Sequence, residues 1–179
     1  MALRRKHETG ATAGRARMTF DPGLPPERLV LTGLRCWLAG YETGDIGCWE
    51  LAWNTWSSEL GTQGARQAVG ELASWVRVLM RGCGRRLQCH PHACPGLCRD
   101  ECFALGIVAA CQHDDRAAAR AAAFCLVGET RAPFLDDVVT ASDEFAEVLT
   151  CCGCRLALPT PRLVARLACQ PDSCGARLH

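Results

Sequence analysis

Ile46, Trp49, Trp53, Trp56 and Leu60 repeat apolar side chains at intervals of three, four, three and four residues. A helix of 3.6 residues per turn carries such a series on one face, whereas a strand would scatter it over both. Three indoles on one stripe form a large apolar ridge, and ridges of that size normally pack into a core. A core seam is therefore the expected role of the stripe, ahead of an aromatic box for a cofactor.

The same period runs through most of the chain. Leu31, Leu34, Leu38 and Tyr41 share a face of a preceding helix, which starts near Pro25 and Pro26, where proline is tolerated in a first turn. Thr43 or Asp45 is placed to cap the tryptophan helix, and Gly61 to end it. A third helix spans about 63–80, with Leu72, Trp75, Val76 and Leu79 inward. The glycine- and proline-broken run 81–94 reads as a loop. A fourth helix starts at Pro95 and reaches about Gln112, and an alanine-rich fifth covers 116–127. Pro133 opens a sixth, carrying Phe134, Val138, Ala141, Phe145, Val148 and Cys152. No segment alternates convincingly as a strand.

The expected fold is all-α: one bundle of about six helices with a Cys/His-rich central loop and an irregular, cysteine-containing C-terminal tail. Residues 1–22 read as a disordered basic extension, or as an upstream addition to a start at Met18. The helical domain covers 23–152 and the tail 153–179, with 163–168 as its one candidate for a short helix.

With 179 residues, 49% of them hydrophobic, the chain has enough apolar material for one buried core. Twenty basic residues against nineteen acidic ones give a net charge of +1, without the basic excess typical of a nucleic-acid binder. No apolar run is long enough to span a bilayer, and no apolar stretch follows the basic N-terminus as a secretory signal requires. The expected location is the cytoplasm, in which fourteen cysteines point to metal or thiol chemistry rather than to disulfides. All the basic residues except Lys6 are arginine, and alanine and glycine are abundant, a bias that also raises cysteine. Clustering, not number, has to carry any inference.

Five cysteines and two histidines fall between positions 83 and 102: Cys83, Cys89, His90, His92, Cys94, Cys98 and Cys102. With Pro95 as first helical residue, positions 94, 98 and 102 would drift over roughly 80° of helical arc and share a face. Two ligands four residues apart on a helix can chelate one ion, and a helix N-terminus favours the thiolate that binds it. Cys94, Cys98 and Cys102 are the preferred ligands, and Cys89 or His92 the fourth. Asp100 and Glu101 oppose thiolate formation locally. The spacing lacks the paired C-x₂-C of common zinc sites and matches no familiar iron–sulfur pattern. The competing reading makes Cys98 and Cys102 small core hydrophobes.

A weaker second cluster, Cys151 and Cys154 followed by Cys169 and Cys174, has the arithmetic of a two-knuckle zinc site with irregular knuckles; Cys152 sits between them on the core stripe. Cys36, Cys48, Cys111 and Cys125 are scattered singly and read as core filler. A copper(I) store would need helical cysteine pairs on several helices, and only 98/102 qualifies. The acidic residues of the sixth helix read as a solvated face, and no phosphate-binding glycine loop occurs.

These patterns lead to a small helical metal-binding protein, holding zinc or an iron–sulfur cluster in a structural or metal- and redox-sensing role. It is more readily a non-enzyme, since catalysis would need an open coordination position. The alternative is a metal-free helical protein-interaction module with buried thiols, docking a protein partner through its tryptophan ridge or basic loop.

Overall fold

The computed structural model describes residues 25–158, and within them the chain is all-α, with no strand. Five helices carry it: α1 (Pro25–Thr43), α2 (Ile46–Cys83), α3 (Arg99–Gln112), α4 (Arg116–Val127) and α5 (Leu135–Cys151). A 3-10 turn at Glu129–Phe134, containing Pro133, leads into α5. The expectations for 1–22, for 163–168 and for Cys169 and Cys174 lie outside the described residues. Among those residues no helix is long and apolar enough to cross a membrane.

The number of helices is five, not six, because the expected second and third are one element of 38 residues. Gly61 leaves the helical region there, with φ 69° and ψ 166°, and the helix changes direction and resumes. Only glycine adopts that conformation without strain, so the sequence signal at Gly61 marks a kink rather than an end. Asp45 caps the start of α2 as expected, its Oδ1 accepting from the Gly47 amide at 2.8 Å.

Burial shows which helix is central. Twelve of the fourteen residues of α3 are buried, so this helix is enclosed on nearly every side. It packs chiefly against α4 and α5, while α2 lies along α1 and α5. Alanines on α4 and small residues on α3 permit their close approach. The aromatic centre is Trp75 stacked on Phe145 at 4.9 Å between ring centroids, with Trp56 beside the same phenyl ring. The Trp75 indole N–H donates to Ser142 Oγ at 2.8 Å, which satisfies a buried polar group inside the core.

The segment after α5 returns to the bundle. Gln112 reads it through its side-chain amide, donating to the Cys154 carbonyl and accepting from the Leu156 amide, each at 2.7 Å. Cys154 and Leu156 are consequently buried against the core.

Candidate functional site

The cysteine-bearing loop between α2 and α3 is held by charges as well as by Leu87, which is buried in the core. Arg35, on the buried face of α1, meets Glu101 in the first turn of α3 through Nε–Oε1 at 2.7 Å and Nη2–Oε2 at 3.0 Å. The rest of the guanidinium donates to the loop backbone: to the carbonyls of Pro91 at 3.3 Å, Cys94 at 2.6 Å and Gly96 at 2.5 Å. The Glu101 carboxylate in turn accepts from the amides of His90 and Cys98, both at 2.8 Å. One buried ion pair thus satisfies five backbone groups of an irregular segment that has no ladder of its own.

Asp100 repeats the arrangement on the other side. Its carboxylate takes a two-pronged contact from Arg85, at 2.6 and 2.9 Å, and accepts from the Gln88 amide at 2.9 Å. Both acidic residues are anchors of the loop, and their charges also oppose the neighbouring thiolates as the sequence implied. Their capture of loop amides also explains the start of α3. Glu101 at the third helical position reaches back to the Cys98 amide, making Cys98 the cap and displacing the start from Pro95 to Arg99.

That shift changes where the candidate ligands lie. Cys102 remains on α3 and is buried in the core, its thiol pushed up to about 12 by burial and then by Glu101. Cys98 is buried at the cap; its thiol donates to the Gln88 carbonyl at 2.8 Å, and burial, then Glu101, raises its pKa far above the usual thiol range. Cys94 is in the loop rather than on the helix, half-buried. Cys89 is half-buried against the core, raised to about 11 by burial and then by Glu101. His92 is exposed.

Of the loop donors, Cys94 and His90 come together over Gly96: a Cβ placed on that glycine would lie 3.7 Å from Cys94 Sγ and 3.8 Å from His90 Nε2. Among the described residues no group of three or more His, Cys, Asp or Glu side chains is gathered as a metal-binding set. In the second cluster, Cys151 is exposed, Cys152 half-buried and Cys154 buried. All twelve described cysteines are free thiols.

A second feature lies at the far end of α1 and α2. The tryptophan stripe divides along its length: Trp56 is fully buried, whereas Trp49 and Trp53 are only half-buried. Trp49 lies across the α1 backbone at Gly40, where any side chain would collide with the indole. This close approach sets Trp49 between Trp37, at 6.4 Å between centroids, and the edge of Tyr41, at 5.9 Å. Trp37, Trp49, Glu50, Trp53, Asn54 and Val69 line an open groove of about 550 Å³. The groove falls within the range of small-ligand and side-chain pockets. The periodicity pointed to a core seam; only its inner end is one.

No protein-family model, curated protein or solved structure matches this chain.

Proposed function

We propose that this protein is a helical protein-interaction module whose docking surface is the tryptophan groove of α1 and α2. The observation that carries the reading is that three half-buried indoles line one groove of a well-packed bundle. Tryptophan is the residue type most concentrated at binding hot spots, and a half-buried cluster of it on a rigid pair of helices is already organised for a partner segment. The buried thiols are core material in this reading, consistent with Cys36, Cys83 and Cys102 being sealed among hydrophobic neighbours.

Selection of displayed random peptides against the intact chain tests it. Peptides should enrich that bind the protein and lose binding to Trp53→Asp, a change at a half-buried groove position. Enrichment equal on both proteins, or none on either, would overturn the reading.

The convergence of His90 and Cys94 over Gly96 favours a second reading, in which the loop binds zinc or an iron–sulfur cluster. Cys89, His92, Cys94, Cys98 and Cys102 would supply the donors, and the raised thiols would have to lose their protons to bind. Cys151 and Cys154, with Cys169 and Cys174, form the weaker candidate set. Elemental analysis and a visible spectrum of protein purified with and without oxygen decide it. Stoichiometric metal that is lost in Cys98→Ser/Cys102→Ser and retained in Cys36→Ser supports this reading; substoichiometric metal in every preparation, with helicity unchanged by chelators, rejects it.

A further inference from the structure

We infer that the tryptophan groove is a guanidinium site: it takes the side chain of an arginine presented by the partner segment. The inference rests on the interaction reading above and adds the chemistry of recognition. Three of the six lining residues are indoles, whose faces attract cations and stack on planar guanidinium groups. Among the described residues, the one charged residue in the lining is Glu50, one turn before Asn54 on the same rim of α2. Glu50 is exposed and makes no ion pair or hydrogen bond in the described structure. Among the described residues no basic side chain lines the groove, and while Trp49 is held between Trp37 and Tyr41, Trp37 and Trp53 are each only half-buried.

Among the described residues the cation–aromatic pairs lie elsewhere, Arg99 over Phe103 and Arg131 over Phe134, and none involves an indole of the groove. Glu50 and Asn54 give the groove a polar rim beside its indoles, and the sign of the rim charge favours a cationic side chain over a neutral or anionic one. The groove is shallow and open to solvent, so a side chain can reach it from the surface. In the docked state the guanidinium would lie against an indole face while its N–H edge forms a two-pronged contact with Glu50, a geometry that lysine cannot reproduce.

The test compares acetyl-Gly-Arg-Gly-amide with its citrulline counterpart, which keeps the planar shape but replaces one NH2 donor with a carbonyl oxygen and carries no charge. Binding to the full chain is followed by the indole N–H resonances in ¹H–¹⁵N spectra. The arginine peptide should shift the Trp37 and Trp53 signals and bind about tenfold more tightly than the citrulline peptide, as expected for a partly desolvated cation–π contact. Glu50→Gln, a surface change that leaves the fold intact, should weaken the arginine peptide severalfold without affecting the neutral one. Trp53→Leu, which keeps the wall apolar but removes its π face, should reduce the preference for arginine.

Equal affinity for the two peptides, or an unchanged preference in Glu50→Gln, would overturn the guanidinium assignment while leaving an apolar docking groove in place. Absence of any shift at millimolar peptide would overturn it as well. The display experiment then decides separately whether the interaction reading falls with it, because it selects binders without regard to charge.

Discussion

Arg35 and Glu101 lie 66 residues apart in sequence and join through 2.7 and 3.0 Å contacts, their side chains 2% and 0% exposed. They connect the first helix to the central one and, through the remaining hydrogen-bonding positions of each group, fix the backbone of the loop between α2 and α3. Removing one partner leaves a buried charge and several backbone groups without partners. Arg35→Met or Glu101→Leu alone should therefore destabilise the fold by about 3–5 kcal/mol. The double variant Arg35→Met/Glu101→Leu should cost clearly less than the sum, because neither charge is then stranded. Urea denaturation of the four proteins measures the coupling; additive losses would show that the two side chains act independently.

The tryptophan stripe yields a second contrast within one helix. Trp56 is fully buried beside Phe145, so Trp56→Ala opens a large cavity and should cost about 3–5 kcal/mol. Trp53, three residues earlier, faces the groove and is half-buried. Trp53→Ala should cost about 1 kcal/mol, within the ordinary range for a partly exposed site. Comparable losses at both positions, read from denaturation midpoints at constant slope, would mean that the groove is part of the core.

The contrast shows what periodicity conveys. Spacing of three and four places Trp49, Trp53 and Trp56 on one face and correctly indicates a helix, and the all-α class follows from many such stripes. It does not say how far along the helix a partner extends. Here α1 meets the stripe at both Trp56 and Trp49, through Gly33 and Gly40, and the Trp56 end is also covered by Phe145 of α5. The loop was less legible for a different reason. Local spacing and Pro95 suggested a helix from 95, but its start is governed by Glu101, whose role depends on Arg35 in another helix. A lone arginine between buried Leu34 and Cys36 was the available signal: charge on an apolar face implies a buried partner.

Gly61 provides a test of the kink in α2. Its φ of 69° with ψ of 166° belongs to glycine-only backbone, and a Cβ there would meet nothing within 4 Å. Any loss on substitution is thus backbone strain, not collision. Gly61→Ala should destabilise by about 1–3 kcal/mol. The far-ultraviolet circular dichroism of the folded state should be unchanged. A neutral or stabilising result in thermal and urea unfolding would indicate that α2 runs straight through this position.

The buried thiols set the alkaline limit of stability. Cys36 and Cys83 are pushed from the usual value near 9 to about 11, and Cys102 to about 12, by burial above all. Their thiolates form more easily in the unfolded chain than in the folded one. Below pH 9 both states keep the protons, and the stabilising difference is fully present. Between about pH 9 and 11 the unfolded chain releases protons first, so stability falls as pH rises, by about 1.4 kcal/mol per pH unit for each such thiol. The composition makes this window unusually clean, since Tyr41 and Lys6 are the sole tyrosine and lysine of the chain. Urea denaturation in reductant should give a flat profile from pH 7 to 8.5 and a steep decline above 9. Cys102→Ala should decline less steeply. Alkylation offers an independent check: at neutral pH exposed Cys151 should react promptly, and Cys98 and Cys102 only after unfolding. A flat stability profile to pH 11, or prompt native-state labelling of Cys102, would show that these sulfurs are not sealed in the core.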